Sequence, residues 1–173
     1  QGINKGDRVC IYLPMIPELA IAVLACARIG AVHSVVFAGF SSSAVTTRIN
    51  DCECKMVITS DGGFRGDKII PLKSIIDEAL EKCPTVEKVL VVKRTNTEVT
   101  MKSGRDFWLQ PLLDEAIPNN VAEIMDSEDP LFILYTSGST GKPKGMLHTI
   151  AGYMVYTAYT FKNVFNYEEN DIF

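Results

Sequence analysis

Segments typical of β-strands and of α-helices alternate along residues 8–92, and this alternation constrains the fold more than any other feature of the sequence. The strand-like segments are apolar or rich in β-branched residues and cover residues 8–13, 32–37, 55–59 and 86–92. The helical segments between them cover residues 16–29, 41–51 and 71–83. Such alternation is typical of βαβ units, in which helices cover a sheet of parallel strands. The sequence therefore predicts an α/β fold with layers of sheet and helix.

The helical segment at residues 71–83 has the clearest period, because its apolar residues recur at steps of three and four positions. These residues are Leu72, Ile75, Ile76, Ala79, Leu80 and Cys83. The segment at residues 16–29 is apolar almost all round, which predicts burial on several sides. Ser41 is predicted to cap the helix that ends at residue 51.

The rest of the chain is less regular. Residues 95–104 are polar and are predicted to form a surface excursion. Two more apolar strands are predicted at residues 131–135 and 146–149, and a helix at residues 151–161.

Composition and charge exclude several classes of protein. Hydrophobic residues make up 47% of the 173 residues, which suffices for a globular core. The formal net charge is −4, whereas proteins that bind nucleic acids normally present a basic surface. The longest apolar run, residues 19–27, is about half as long as a membrane-spanning helix requires. We therefore expect neither a nucleic acid nor a membrane as a partner, and any anionic ligand must be held by a few local cations.

The cysteines favour a reducing environment. Their number, five, is odd, and several of them lie in apolar or helical patterns. Cys52 and Cys54 lack the spacing of a zinc-binding pair, and no second pair follows them. Buried free thiols in the cytoplasm are therefore the favoured interpretation.

One glycine-rich segment, residues 135–145, combines the groups that a polyphosphate requires. Its sequence is Tyr-Thr-Ser-Gly-Ser-Thr-Gly-Lys-Pro-Lys-Gly. The glycines let backbone N–H groups approach an anion, the hydroxyl groups add donors and the lysines add positive charge. A flexible linker is the alternative, but apolar strand-like segments lie on both sides. The segment is not the common P-loop, because Thr136 stands where that motif has glycine and Pro143 where it has serine or threonine.

Residues 136–145 closely resemble the signature loop of the adenylate-forming superfamily of acyl-CoA synthetases, luciferases and peptide-synthetase adenylation domains. Residues 12–33, 36–41 and 145–149 are similar to acetyl-CoA synthetases, and the resemblance covers essentially the whole chain. It implies that residues 1–173 are part of an N-terminal AMP-binding domain, without the rest of that domain and without the small C-terminal domain. The implied ligands of the ATP phosphates are Thr136, Ser137, Gly138, Ser139, Thr140, Gly141, Lys142, Lys144 and Gly145.

A second turn with cations follows the strand-like segment at residues 55–59. Arg65 and Lys68 flank Gly66, and a glycine-rich turn after a parallel strand is a usual ligand position. From the residues alone, a plain surface turn is the favoured interpretation. The similar segment of acetyl-CoA synthetases reads Arg-Gly-Gly-Lys and binds coenzyme A, which implies that Arg65, Gly66, Asp67 and Lys68 contact coenzyme A. Asp67 departs from that pattern, and its carboxylate would repel phosphate unless it faced water or paired with Lys68.

Four further residues carry weaker signals. Gly39 is a candidate for close approach of coenzyme A to the backbone, although a strand-to-helix turn explains this glycine equally well. His33 and His148 have no recognisable partners for a catalytic triad. His148 follows the loop and is a candidate for contact with a ligand, but a structural role is favoured for it. Core packing is the favoured interpretation of Trp108.

The resemblance implies an AMP-forming acetate–CoA ligase. In that chemistry acetate and Mg²⁺-ATP give acetyl-AMP and pyrophosphate, and coenzyme A then displaces AMP. Lys142 and Lys144 are the implied catalytic residues, because cations offset the charge that develops on the departing pyrophosphate. The magnesium ligands and the acid pocket of the family are expected beyond residue 173, so no metal ligand is predicted here and the chain alone is predicted to be inactive. Two alternatives remain open: another adenylate-forming ligase, such as a propionyl-CoA synthetase, and a nucleotide-binding module without turnover.

Overall fold

The computed structural model describes residues 1–118, 121–137 and 141–172. Its strands are β1 (Arg8–Tyr12), β2 (Val32–Val35), β3 (Met56–Ser60), β4 (Gly63–Arg65), β5 (Lys68–Ile70), β6 (Lys88–Val92), β7 (Asp106–Trp108), β8 (Pro130–Thr136) and β9 (Lys144–Thr149). Its helices are α1 (Pro17–Arg28), α2 (Ser42–Cys52), α3 (Leu72–Leu80), α4 (Leu109–Asp114) and α5 (Ile150–Asn163). Every predicted helix and strand is present, with ends that shift by a few residues. Residues 95–104 contain neither helix nor strand, as predicted.

Seven of the described strands form one mixed sheet in the order β7-β6-β3-β1-β2-β8-β9. Neighbouring strands are parallel except for β8 and β9, which form an antiparallel pair at one edge. The chain runs from the central strand β1 to β2 on one side, then crosses back to β3 on the other side and continues to β6. The predicted largely parallel sheet is confirmed.

Side chains alternate along the parallel strands, so the sheet has two apolar faces. On β1, Val9 and Ile11 point to one face and Cys10 and Tyr12 to the other. The helices α1 and α4 cover the face with Val9, and α2 and α3 cover the face with Cys10. Each fully buried valine or isoleucine contributes about 1.5–3 kcal/mol of transfer free energy, so these two layers supply most of the driving force for folding.

Local sequence determines where α1 and α2 begin and where α1 ends. Pro17 occupies the first position of α1, where the missing N–H has no intrahelical partner in any case. Gly30 follows α1 with a φ of +70°, a conformation that glycine adopts without steric cost. The Oγ of Ser41 accepts a hydrogen bond from the backbone N–H of Ala44 at 3.4 Å, which confirms the predicted cap of α2.

Within the described residues, α1 is buried on one side and not on several, in contrast to the prediction. Of its residues, Ala22 and Cys26 are buried, whereas Ile21 and Leu24 are 57% and 69% exposed. The helix therefore packs on the sheet through one face, because nothing among the described residues covers its outer face. The helix α5 also presents a broad apolar surface. Its exposed apolar residues are Tyr153, Met154, Val155, Tyr156 and Tyr159.

A network of buried and half-buried ion pairs attaches β7 to α3. The Nζ of Lys73 lies 2.7 Å from Asp77 Oδ2 and 2.8 Å from Asp106 Oδ2. Arg105 pairs with both of these carboxylates. Because each charge has an opposite partner, burial leaves no uncompensated ion. Asp106 is the first residue of β7, so the network fixes the edge strand on which Trp108 packs against the core, as predicted for this tryptophan.

The five cysteines are free and buried, as predicted. Cys26 belongs to the cluster under α1, and the other cysteines belong to the cluster under α2 and α3. In the parts of the chain that the structure describes, no helix is long and apolar enough to cross a membrane.

Candidate functional site

A cavity of about 290 Å³ opens at the carboxyl ends of the parallel strands. It lies where the strand order reverses, since the chain leaves β1 in one direction across the sheet and leaves β3 in the other. Such crevices are the usual ligand position in open α/β sheets. Residues that follow β1, β2, β3 and β6 line it, including Ile16, Gly39, Arg65 and Arg94. The structure thus brings the predicted residues Arg65 and Gly39 to one cavity.

The buried carboxylate of Asp61 holds two walls of this cavity together. Its Oδ1 accepts hydrogen bonds from the backbone N–H groups of Gly62 at 2.7 Å, Arg94 at 2.8 Å and Thr95 at 3.0 Å. These bonds join the end of β3 to the end of β6. Burial alone would raise the pKa of Asp61, but the hydrogen bonds from these N–H groups outweigh it and hold the pKa below its usual value.

The predicted second anion turn forms a two-stranded hairpin. Arg65, the last residue of β4, pairs with Lys68, the first residue of β5. Gly66 has a φ of +59° at the first of the two connecting positions, where glycine suits a tight hairpin turn. Asp67 is exposed, and among the described residues its carboxylate has no hydrogen bond or ion pair, including with Lys68. Gly66, Asp67 and Lys68 are at the tip of the hairpin and do not line the cavity.

Gly39 lies on the cavity wall beside the ring of Phe37. A Cβ at this position would lie 2.4 Å from a carbon of that ring, so any other residue would force Phe37 to move. The same turn connects β2 to α2. The structure is therefore consistent with both interpretations of Gly39, a structural turn and an open approach for a ligand.

The residues on either side of the predicted phosphate loop form the antiparallel hairpin β8–β9. Thr136 pairs with Lys144, and Tyr135 pairs with Gly145. A Cβ at Gly145 would lie 3.2 Å from the Tyr135 ring, so this glycine allows the two strands to pack closely. Three predicted phosphate ligands lie outside the described residues: Gly138, Ser139 and Thr140.

The described part of the loop keeps its cations in solvent. Lys142 and Lys144 are exposed, and in residues 1–118, 121–137 and 141–172 neither ammonium group has a hydrogen-bond or ion-pair partner. Gly141 has a φ of +77°, which only glycine adopts without strain. Both lysines are therefore available to an anion that the loop would bind.

Tyr135 anchors the start of the loop to the end of α2. Its hydroxyl donates a hydrogen bond to Asp51 Oδ2 at 2.6 Å and lies 2.9 Å from the Sγ of Cys52. Burial and the adjacent carboxylate raise the pKa of Tyr135 above its usual value, so the hydroxyl keeps its proton. This contact fixes the end of β8, from which the loop departs.

A second cavity, of about 400 Å³, lies between the loop and α2. Ser137, Gly141 and Pro143 line it from the loop, and Arg48 lines it from α2. The Arg48 guanidinium lies 4.5 Å from the centroid of the Phe40 ring, which holds the cation in place. Sequence reasoning missed Arg48, and also Arg94 in the first cavity, because an arginine on a helix or after a strand carries no local signal of its partners in space.

The two candidate anion sites share one edge of the sheet. β8 is parallel to β2, so the phosphate loop leaves the sheet at the same carboxyl edge as the loops around the first cavity. The described residues contain no cluster of three or more histidine, cysteine, aspartate or glutamate side chains that could hold a metal ion. The arrangement therefore offers cations and backbone donors for two anionic groups.

The two histidines pack in an aromatic column. The ring of Phe132 stacks on His33 with centroids 5.4 Å apart and on His148 with centroids 4.4 Å apart. Tyr153 contacts Phe132 edge-on. Burial lowers the pKa of His33 to about 4, so its ring is neutral at pH 7. These contacts support the structural role favoured for His148 and give His33 a place in the same packing.

Comparison with known proteins gives one consistent result. The family model described as AMP-binding enzyme matches residues 1–173. An acetyl-coenzyme A synthetase of Syntrophobacter fumaroxidans (strain DSM 10017 / MPOB) is 60% identical over 173 residues, which are 100% of this chain and 27% of that protein. An acetyl-coenzyme A synthetase of Syntrophus aciditrophicus (strain SB) is 58% identical over 99% of this chain and 27% of its own length.

A solved structure agrees with the sequence matches. The acetoacetyl-CoA synthetase from Streptomyces lividans superposes with a TM-score of 0.86 at 29% sequence identity, over 98% of this chain and 26% of that one. The chain thus spans about a quarter of the length of the relatives described above.

Proposed function

The chain belongs to the AMP-binding enzyme family, and from this premise we propose that it is part of an AMP-forming acetate–CoA ligase. The observation that carries the proposal is the placement of two cation-bearing glycine turns at one carboxyl edge of the sheet. An enzyme that joins a nucleotide to an acid and then passes the acid to coenzyme A needs two such sites. Identities of 55–60% to acetyl-coenzyme A synthetases favour acetate as the acid.

The proposed reaction has two steps. The carboxylate of acetate attacks the α-phosphorus of Mg²⁺-ATP, a P–O bond forms, and the bond to the bridging oxygen breaks to release pyrophosphate. The thiolate of coenzyme A then attacks the acetyl carbonyl, and AMP leaves with the electrons of the broken C–O bond. Both steps depend on positioning and on neutralising charge, more than on a protein nucleophile.

The loop and the hairpin take different parts in these steps. The phosphate-loop residues, Thr136 to Gly145, would hold the β- and γ-phosphates through N–H and hydroxyl donors. Lys142 and Lys144 would offset the charge on pyrophosphate as it leaves. Arg65 and Lys68 would bind the phosphates of coenzyme A, with the backbone of Gly66 and Asp67 forming the turn between them. Gly39 would leave room for the bound molecule beside Phe37. Mg²⁺ would enter with ATP as part of the substrate.

The chain would form part of a larger N-terminal domain. The two acetyl-coenzyme A synthetases described above are about four times as long, and the apolar outer faces of α1 and α5 would be covered by further parts of that domain. Further parts of the enzyme would also supply the acid pocket and the magnesium ligands, so the chain alone would not catalyse the reaction. The five free, buried thiols favour the cytoplasm as its location.

Variants of the two lysines test the role of the loop in the intact enzyme. Lys142→Ala and Lys144→Ala should slow the acetate-dependent exchange of labelled pyrophosphate into ATP, since each loses a charge-assisted contact that contributes about 1.5–3 kcal/mol. Thioester formation from supplied acetyl-AMP should slow less. Lys82→Ala is a matched control, because Lys82 is exposed between α3 and β6 and lines neither cavity. Undiminished exchange in both loop variants would refute the assignment.

The same assay with the unmodified enzyme tests the acid. Exchange that depends on propionate in preference to acetate would point to a propionyl-CoA synthetase. Nucleotide binding without exchange for any short acid would point to a binding module without turnover.

A further inference from the structure

Arg94 brings a second guanidinium to the cavity at the carboxyl ends of the strands. It follows β6, lines the cavity together with Arg65, and is exposed to solvent. The other residues that line this cavity are uncharged. The cavity thus gathers two cations in a chain whose net charge is −4.

The protein holds Arg94 in this position from two sides. Its backbone N–H donates to the buried Asp61 carboxylate, at 2.8 Å. Its guanidinium carbon lies 5.6 Å from the centroid of the Phe64 ring, within the range of a cation–π contact. Phe64 belongs to the hairpin that also carries Arg65. The two arginines therefore approach the cavity from the β4–β5 hairpin and from the segment after β6, which the Asp61 carboxylate joins through the N–H groups of Gly62 and Arg94.

Neither guanidinium has its charge compensated by a neighbour among the described residues. Across the part of the chain that the structure describes, no carboxylate lies within ion-pair distance of Arg65 or Arg94. Other arginines of this chain do have such partners: Arg8 pairs with Glu53 and Arg105 with Asp106. Two unpaired guanidinium groups around one cavity repel each other, and an anion between them would remove that repulsion.

We propose that Arg94 binds a phosphate group of coenzyme A, as a third cation beside Arg65 and Lys68. This proposal rests on the coenzyme A site proposed above. A planar guanidinium donates two parallel hydrogen bonds to one phosphate, so Arg94 adds directional contacts as well as charge. Phe64 and Asp61 hold it in the orientation that binding requires, which lowers the entropy lost on binding.

The test compares three variants of the intact enzyme. Arg94→Met keeps an unbranched apolar side chain against Phe64 but removes the charge, and it should raise the KM for coenzyme A about tenfold or more. Arg94→Lys should restore part of that loss, because it returns the charge without the second parallel hydrogen bond. Lys93→Met is the matched control, since Lys93 is exposed next to Arg94 but does not line this cavity. Acetate-dependent pyrophosphate exchange should stay unchanged in all three.

Coenzyme A lacking its 3′-phosphate identifies the contacted group. If Arg94→Met impairs use of coenzyme A and spares the dephospho form, Arg94 binds the 3′-phosphate. If it impairs use of both equally, Arg94 binds the diphosphate. Either result supports the proposal.

The variant Arg65→Met distinguishes an error in the role of Arg94 from an error in the proposed coenzyme A site. An increased KM in Arg65→Met together with an unchanged KM in Arg94→Met would overturn the inference alone. Unchanged values in both variants would overturn the site as a whole. A loss of pyrophosphate exchange in Arg94→Met that matched the loss of thioester formation would also overturn it, because Arg94 would then support the fold.

Discussion

The carboxylate of Asp67 is the single group least suited to an anion site. It sits at the tip of the β4–β5 hairpin, is exposed, and has no polar partner in the described parts of the chain. At about 4 Å from a phosphate charge it would cost about 1 kcal/mol in water, and more if water were excluded. Because the side chain is free to turn to solvent, we infer that Asp67 contributes its backbone to the turn and not its charge.

Asp67→Gly and Asp67→Asn should therefore leave the affinity for coenzyme A unchanged or modestly improved. The improvement should be greatest at low salt, where surface charges are least screened. Titration of coenzyme A into the intact enzyme and both variants at two ionic strengths measures this. A tenfold loss of affinity in both variants would show that the carboxylate makes a favourable contact with the ligand.

His33 should make the stability of the fold sensitive to acid. Burial lowers its pKa from the ordinary 6.5 to about 4, and among the described residues its Nδ1 has no hydrogen-bond partner. Between these two values the unfolded chain binds a proton that the folded chain does not. Above pH 6.5 His33 is neutral in both states and does not reduce the free energy of unfolding. Below pH 6.5 this free energy falls, by up to about 1.4 kcal/mol per pH unit, as the pH drops towards 4.

Urea unfolding of the wild type and of His33→Gln at pH 4 to 7 measures this contribution. The variant should show a shallower loss of unfolding free energy below pH 6.5. His148→Gln removes the other imidazole from the same aromatic column and serves as the control. An equal flattening in His148→Gln, or none in His33→Gln, would contradict the assignment.

Among the structural elements, the β4–β5 hairpin begins beside a buried carboxylate that also binds the segment after β6. Asp61 lies between β3 and the hairpin, and its carboxylate accepts hydrogen bonds from three backbone N–H groups. An asparagine has one acceptor oxygen in place of the carboxylate and brings N–H donors that would face these backbone donors. Hydrogen bonds to a charged group contribute about 1.5–3 kcal/mol each, so Asp61→Asn should destabilise the connection between β3 and β6 measurably.

Hydrogen exchange at the amides of Arg94 and Thr95 reports this effect directly. Both should exchange faster in Asp61→Asn, and the KM for coenzyme A should rise with little change in pyrophosphate exchange. Asp67→Asn makes the same chemical change within the hairpin, at a carboxylate without a partner among the described residues, so it should leave the exchange of both amides unchanged and should not raise the KM. Unchanged protection at both amides in Asp61→Asn would show that other contacts hold the hairpin.

How far an element could be predicted depended on its length and on the distance in sequence between its contacts. α3 was predicted with its buried face because its period of three and four residues spans the whole helix. β7, with three residues beginning at Asp106, was missed because it is too short to show a strand pattern and depends on the ion pairs with α3. The exposure of α1 could not be read from its apolar composition, since exposure depends on what else covers the helix.

At the scale of the whole molecule, the sequence predicted the parallel sheet and the two anion turns but not how they assemble. The order of the strands depends on pairings such as His33 with Phe132, which lie about a hundred residues apart and leave no local pattern. The same limit explains why Arg48 and Arg94 were missed. Each reaches its cavity only because distant segments meet at one edge of the sheet.

The two apolar layers, one on each face of the sheet, should unfold together, and two cysteines report on them separately. Cys26 lies under α1, and Cys83 lies beside α3 on the other face. Burial raises the pKa of both thiols, that of Cys26 to about 11, so neither reacts readily at pH 8 until the chain opens. The strands β1, β3 and β6 contribute alternate side chains to both layers, so losing one layer removes the support of the other.

Pulsed alkylation in increasing urea, followed by mass spectrometry of the labelled peptides, should therefore give one midpoint for Cys26 and Cys83. Cys10, on the central strand, distinguishes local fraying near Cys83 from opening of its whole layer. Labelling of Cys26 at lower urea than both Cys10 and Cys83 would show that α1 detaches first, as its single buried face would then allow.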